Sequence, residues 1–423
     1  MKVLWFSITP ARYGSYASNG GGWIESLQRV VAQSDEVKLG IAFVNPVEPE
    51  HSKIEQDGVT YYPIYIKRGW LEGWCDKYSA KNLNPLILEK CKQVIADFQP
   101  DVIHVFGSEW CFGLLKEVTL VPLVIHMQGS WPAYYDKDVS LLRNRAYFYL
   151  KSLVRPRRLL NYFLNRHLLK ERVGMEERIL TMNNQYMGRT HWDYAMVRLY
   201  SPKARYWYCS EALRDSFVSG ENKWEHNKNR KKKIFVSTGL AVSIKGYDTI
   251  LKTAKLLKEH APFDFEWRLL GPKSSNLSFF EHLTHIKCKD VNVVACGNQS
   301  ADKVKDELMN ADCYIHLSYI DNSPNAVCEA QYLGLPVIAA NTGGVRSLFA
   351  DDYDKNLLVP SNEPHFTAMQ IIDLLTDEEK INQCSESNFL LARNRHNDEH
   401  ILKDLLFVYN QLMKNNGSKT ESL

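Results

Sequence analysis

No cysteine pair in this chain has the spacing of a metal or redox motif. The nine cysteines (Cys75, Cys91, Cys111, Cys209, Cys288, Cys296, Cys313, Cys328 and Cys384) are odd in number and scattered, and no Cys-x-x-Cys occurs. That excludes a disulfide framework or zinc ribbon and suits a reducing cytoplasm. Long apolar runs are missing too. Nothing approaches the roughly 20 residues of a membrane span, and the opening "MKVLWFSITP" breaks too early for a signal peptide and reads as a buried strand. A dominant charge is also absent: 52 Lys+Arg stand against 49 Asp+Glu, formally +3. No whole-chain field therefore favours nucleic acid.

The 423 residues, 45% hydrophobic and 24% charged, suffice for two or three globular domains. Short apolar strands alternate with helical patterns. Strands are expected at Lys2–Ser7, Val37–Phe43, Val102–Val105 and Leu123–His126, then at Ile234–Ser237, Trp267–Leu270, Val291–Ala295, Cys313–Leu317 and Val337–Ala340. Helices are expected at Trp23–Gln33 and Pro85–Asp97, and starting near Tyr247, Phe279, Ser300 and Pro324. The alternation predicts α/β architecture: two doubly wound, Rossmann-like domains facing across a crevice. The expected limits are 1–218 for an N-terminal domain, 219–233 ("SGENKWEHNKNRKKK") for an exposed basic linker, and 234–395 for a C-terminal domain. A C-terminal helix at 396–415 shows its apolar face at Leu402, Leu405, Leu406 and Tyr409 and would pack back on the first domain, with a disordered tail at 416–423.

Charge is concentrated in Lys151–Val173, where seven Lys/Arg and one Glu give a local +6. Leu160, Phe163, Leu164 and Leu168 share one helical face there. The segment reads either as a domain helix with a solvated basic side or as a peripheral contact with anionic membrane.

The stretch "DNSPNAVCEA" carries the most chemistry. It follows the strand Cys313–Leu317, and Ser323 before Pro324 reads as an N-cap with Pro in the first helical position. Asp321 then lies in the strand-to-helix loop, Glu329 two turns into a helix that Gly334 ends. The unpaired N–H groups of the helix start, around Ser323, Pro324, Asn325 and Ala326, would seat a diphosphate. The flanking acids would accept bonds from sugar hydroxyls. A capped βα unit with two solvated acids is the plainer reading.

The longer stretch "DNSPNAVCEAQYLGLPVIAANTGGV" resembles the nucleotide-sugar signature of retaining glycosyltransferases of the GT-B fold, family 4 type (glycosyltransferases group 1). Asp321, Glu329, Ala330, Gly334, Pro336, Val337, Ile338, Gly343 and Gly344 carry the resemblance. "TGLAVSIKGYDTILKTAKLL" is similar to that family's Lys-Gly-helix unit, which puts Lys245 at the donor phosphates. "RLLGP" and "VVACGNQS" (Gly271, Gly297) are similar to its base-holding loops. "SNGGGWIESLQRVV", with Gly20, Gly21 and Gly22, is similar to the Gly-rich loop that reaches the diphosphate, although a flexible loop explains the triplet alone. "VIHVFGSEW", "VIHMQGSW" and "MGRTHWDYA" look like a branch acting in bacterial surface-polysaccharide assembly. They place Glu109, His126, Gln128 and Arg189 as acceptor-side candidates. His126 has an equal claim to be structural, His104 reads as packing, and Arg189 with Thr190 reads equally as a surface arginine and a helix cap.

The chain departs from the family pattern in four places. Asp321 replaces the usual Glu. Gly239 and Leu240 stand where a phosphate-binding Arg is usual. "GGVRS" places Arg346 and Ser347 at the end of the Gly-Gly motif. Gln128 stands in register with the usual His. The resemblance implies a cytoplasmic enzyme moving a hexose-type sugar from a UDP- or GDP-linked donor to a carbohydrate or lipid-linked oligosaccharide, with retention and without cofactor or metal. Asp351–Asp352 reads as a surface turn. A nucleotide-sugar epimerase and a non-catalytic nucleotide-sugar-binding partner are the rival readings.

Overall fold

The structure, a computed structural model, describes residues 1–14, 22–141, 156–220, 222–350 and 357–420. The expectations for Gly20, Gly21, Asp351 and Asp352, and for Lys151–Arg155 of the basic segment, lie outside these residues. The chain forms two compact units, Met1–Ala212 with Asp398–Leu423, and Leu213–Asn397.

The first unit is built on eight strands: β1 (Lys2–Ser7), β2 (Lys38–Val44), β3 (Ile54–Gln56), β4 (Val59–Ile64), β5 (Val102–Phe106), β6 (Leu123–His126), β7 (Gln185–Gly188) and β8 (Arg205–Tyr208). Their order in the sheet is β3-β4-β2-β1-β5-β6-β7-β8. All pairs are parallel except β3–β4. The central strand β1 is apolar on both faces, as a sheet covered by helices on both sides requires. Val3 and Trp5 join one core with the helix Gly22–Val31, and Leu4 and Phe6 join the other with the helix Leu83–Phe98.

The helix Asp398–Thr420 completes the first core. Buried Tyr409 accepts a hydrogen bond from Trp5 Nε1 (3.0 Å) and pairs with His104 Nδ1 (2.7 Å). His104 is therefore a packing residue. The helix runs on to Thr420, beyond the expected end at Asn415 and into the stretch expected to be disordered.

The second unit has six parallel strands: β9 (Lys232–Thr238), β10 (Asp264–Leu270), β11 (Val293–Gly297), β12 (Cys313–His316), β13 (Val337–Ala340) and β14 (Leu358–Val359). Their order is β11-β10-β9-β12-β13-β14. The order reverses between β9 and β12, so the loops at the carboxyl ends of these two strands flank the switch point where ligands bind in such sheets.

One expectation is corrected here. The described residues of 219–233 are mostly exposed, as expected, but they belong to the second unit and do not link two domains. Trp224 is buried in the second core, its backbone N–H donating to Leu333 O (2.7 Å) and its Nε1 to Ala311 O (2.8 Å), and Lys232 already begins β9. A single large indole outweighs the polarity of its neighbours. The helix expected near Phe279 begins earlier, at Ser274.

Tyr409→Phe removes the shared partner of two buried nitrogens. It should cost about 1–3 kcal/mol, read as a lower urea-denaturation midpoint; an unchanged midpoint would show that Trp5 and His104 find other partners.

Candidate functional site

The site in the second unit begins with three glycine-bearing loops at the carboxyl ends of β9, β10 and β11. Gly271 N–H donates to Gly297 O (2.8 Å) and Gly297 N–H to Pro272 O (2.9 Å), which straps the second loop to the third. A Cβ on Gly271 would lie 2.3 Å from Gly239 O, and Gly271 has φ +118, so only glycine fits. Gly271 and Gly297, both expected in base-holding loops, lie in these strapped loops at the ends of β10 and β11.

The loop after β9 continues through a single turn, Ser243–Lys245, into the helix Tyr247–His260. Gly246 takes φ +69, and a Cβ on it would meet Leu317 O at 2.0 Å. The Lys-Gly turn is thus pressed against the end of β12, and Tyr319 N–H donates to Ile244 O (2.7 Å). From the other side the Gly-Gly turn does the same. Gly344 N–H donates to Asp321 O (3.0 Å), and a Cβ on Gly343 would meet that oxygen at 2.0 Å.

Between these clamps Lys245 Nζ lies 2.6 Å from Asp321 Oδ2, and His316 Nε2 lies 3.2 Å from the same oxygen. The Lys245 charge, then the His316 contact, hold the Asp321 carboxyl below its ordinary range even though burial pushes it up. Burial lowers the His316 imidazole despite its acid neighbour. His316, the last residue of β12, was not foreseen; its signal was the position itself, a strand's carboxyl end.

The helix runs Asn325–Leu333, and Pro324 rather than Ser323 is its N-cap, one position later than expected. Pro324 O accepts from Val327 and Cys328 N–H, while Ser323 Oγ sits 3.7 Å from Cys328 Sγ. Asp321, Asn325 and Ala326 are half-buried, and Asn322, Ser323 and Pro324 are buried, so the stretch opens at the acid and the first helical turn. Glu329 is buried and gripped on both oxygens by Arg214, Nε to Oε1 at 2.6 Å and Nη2 to Oε2 at 2.7 Å. Burial raises its carboxyl and Arg214 opposes that shift. Arg214, 115 positions away in the sequence, was not anticipated.

In the first unit the structure brings half-buried Glu109 and buried Arg189 into one polar cluster with buried Glu176, Asp193 and Glu211. Gly107 and Gly129 make room for Glu109: a Cβ on either would lie within 2.4 and 2.7 Å of its carboxylate oxygens. Glu176 accepts from Ser108 Oγ (2.7 Å) and Trp131 N–H (2.6 Å), the latter at the start of the helix Trp131–Leu141. Burial raises the Glu109 carboxyl, and burial followed by the Glu109 charge raises Glu176 to about 8. Thr190 caps the helix His191–Tyr200, but Arg189 is buried rather than on the surface, its guanidinium 4.8 Å from the Trp23 ring and its Nε 3.8 Å from Glu211 Oε2. His126 is enclosed by Trp23, His104 and Phe106 rings, and burial keeps it neutral. Gln128 is half-buried beside Gly107. Gly22 opens the helix Gly22–Val31.

The fold is that of GT-B glycosyltransferases. Sucrose-phosphate synthase from Thermosynechococcus elongatus is similar with a TM-score of 0.73 at 15% identity, covering 98% of this chain and 99% of that one. HepE of Anabaena, in complex with UDP and glucose, is similar with a TM-score of 0.65 at 14% identity, covering 97% and 99%. A glycosyltransferase from Rickettsia africae reaches 0.60 at 13% identity, covering 98% and 99%. Residues 218–389, nearly all of the second unit, match the family described as Glycosyl transferases group 1. No curated protein matches the chain.

Two outcomes test this geometry. Gly343→Ala forces a side chain against the Asp321 carbonyl and should cost about 1–3 kcal/mol in chemical denaturation; a neutral variant would show that the loop is not clamped. For Glu176 the folded carboxyl titrates above its ordinary 4.5, so the folded state keeps a proton that the unfolded chain releases. Stability should therefore fall as pH rises from 4.5 through about 8, and Glu176→Gln should flatten that slope. Equal slopes for the two proteins would refute the assignment.

Proposed function

We propose that the chain is a glycosyltransferase that moves a sugar from a nucleotide-diphosphate donor to a carbohydrate or lipid-linked carbohydrate. One observation carries the reading: Lys245, Asp321 and the first turn of the helix Asn325–Leu333 meet at the switch point of the second sheet. The group 1 match over residues 218–389 supports it. HepE, similar in fold, has been seen with UDP-glucose, which favours a uridine donor here.

The chemistry follows from the charges. As the glycosidic bond to the diphosphate lengthens, negative charge gathers on the leaving oxygens and the sugar gains oxocarbenium character. The Lys245 ammonium and the N–H groups of the helix start are fixed donors for that charge, needing no reorganisation as it develops. Lys245 and His316 both contact Oδ2 of Asp321, so its Oδ1 is the oxygen to accept from a sugar hydroxyl. Glu329 would take the ribose hydroxyls on the remaining lone pairs of a carboxylate held in place by Arg214.

Our reading extends to retention of configuration by front-face attack, with the leaving phosphate taking the acceptor proton. It further takes the diphosphate charge to be met by Lys245 without a metal ion, and the product to belong to bacterial surface-polysaccharide assembly.

Calorimetry with a panel of nucleotide sugars should find one donor class that binds. Glu329→Ala should weaken it about tenfold or more, and Glu329→Gln should weaken it less, because the amide still presents one acceptor. Binding by no nucleotide sugar, or equal binding by both variants and the parent, would sink the reading.

A further inference from the structure

The helix Trp70–Asp76, "WLEGWCD", buries none of its residues. Trp70 is 82% exposed, Leu71 67% and Trp74 48%. Seven residues are too few for a stable helix on propensity alone. What holds this one is charge. Arg68 Nε and Nη2 grip Asp76 at 2.6 and 3.0 Å across the helix, and Glu72 accepts from Gly69 N–H (2.9 Å) at its start. The ion pair closes the turn without help from the core, and the apolar side chains stay outside.

The patch continues onto the helix Pro156–Met182. The Trp74 ring sits edge-on to Tyr78 at 5.5 Å, and Tyr78 OH donates to Asn161 Oδ1 (2.9 Å). On either side of Asn161, Leu160 is 55% and Phe163 49% exposed. Ser79 Oγ (2.8 Å) and Lys81 Nζ (3.3 Å) both reach Glu171, pinning the loop after the short helix to the long one. Trp74 is thus linked through Tyr78 and Asn161 to the helix that carries the exposed Leu160 and Phe163.

Cations surround it. Residues 67–81 carry four Lys/Arg against two acids, a net +2, with Lys67, Lys77 and Lys81 exposed. The long helix Pro156–Met182 carries six Lys/Arg against three Glu, a net +3. Large exposed apolar groups ringed by charge mark an interaction surface. Its chemistry suits one occupant better than another. A bilayer interface accepts a small apolar wedge, prefers tryptophan at headgroup depth, and draws lysines to its anionic phosphates. Among the described residues no helix is long and apolar enough to cross a membrane, so such contact is peripheral.

We propose that Trp70, Leu71 and Trp74, with Leu160 and Phe163, form a wedge that docks the first unit on an anionic lipid surface. The proposal goes beyond sugar transfer and does not depend on it.

Flotation with phosphatidylglycerol–phosphatidylcholine vesicles at low salt, without donor or acceptor, tests it. The full chain should float with the vesicles, and Trp70→Ser/Leu71→Ser/Trp74→Ser should partition about tenfold less with an unchanged melting midpoint. Lys67→Glu/Lys77→Glu should weaken binding to anionic vesicles and leave that to pure phosphatidylcholine unchanged. A parent protein that stays in solution, or a triple variant that floats equally well, overturns the proposal. So does a triple variant that dissociates an oligomer while the parent ignores vesicles, which would make the patch a protein interface. None of these failures bears on nucleotide-sugar binding.

Discussion

The second unit depends on a place where a side chain is not allowed. The loop between β12 and the helix Asn325–Leu333 is squeezed by two turns, and at each a Cβ would fall 2.0 Å from a carbonyl oxygen, Leu317 O at Gly246 and Asp321 O at Gly343. These approaches are closer than any other residue permits. They explain why the Lys245–Asp321 contact can be short. Lys245 precedes one glycine and Asp321 lies under the other, so the backbone brings the pair together before either side chain chooses a rotamer. A flexible lysine and a loop carboxylate on separate supports would lose much of their attraction to side-chain entropy; here most of that ordering is done by the backbone.

The carboxylates of the two units differ in what surrounds them. Asp321 has an ammonium at 2.6 Å and is held in its charged form. Glu176 has a hydroxyl, a backbone N–H and another acid nearby, and burial prevails. The first kind of carboxylate is a fixed acceptor for hydroxyl donors across the ordinary pH range. The second keeps a proton and can donate. Glu329 stands between them, raised by burial and opposed by a two-pronged guanidinium. Its pairing is of the kind that gives a carboxylate a fixed orientation as well as a charge.

How much of this could be read in advance depended on distance along the chain. Asp321, Pro324 and Glu329 lie within one strand-to-helix unit, so spacing and turn chemistry located them, with an error of one residue at the cap because Pro324 itself takes the extended cap conformation. The parallel strands with aliphatic runs were legible for the same reason. Strand β4 was not, since its sequence "VTYYPI" contains a proline. Pro63 is tolerated because β3 begins at Ile54, opposite Tyr61, so the edge of β4 beyond that pair is not hydrogen-bonded to β3. Arg214 and Glu176 were invisible: their partners are 115 and 68 positions away, and nothing local distinguishes them from surface residues. The basic stretch around Trp224 misled for the opposite reason, its composition announcing a linker while one indole tied it to the core.

That contrast also explains the helix Trp70–Asp76. Trp224 has two hydrogen-bonding groups that found carbonyls inside the second core, and its ring followed them. Trp70 and Trp74 ride on a turn whose polar groups are already satisfied by Arg68, Glu72 and Asp76 at its own surface. Nothing then draws the helix inward. Burial of an aromatic side chain is favourable by a few kcal/mol, and two indoles and a leucine left in water add none of that to the isolated molecule. Arg68 supplies local stability instead, closing the helix with charge. An exposed wedge held rigid in this way is ready to enter an apolar layer without refolding, and a rigid surface loses less entropy on docking than one that must first be ordered.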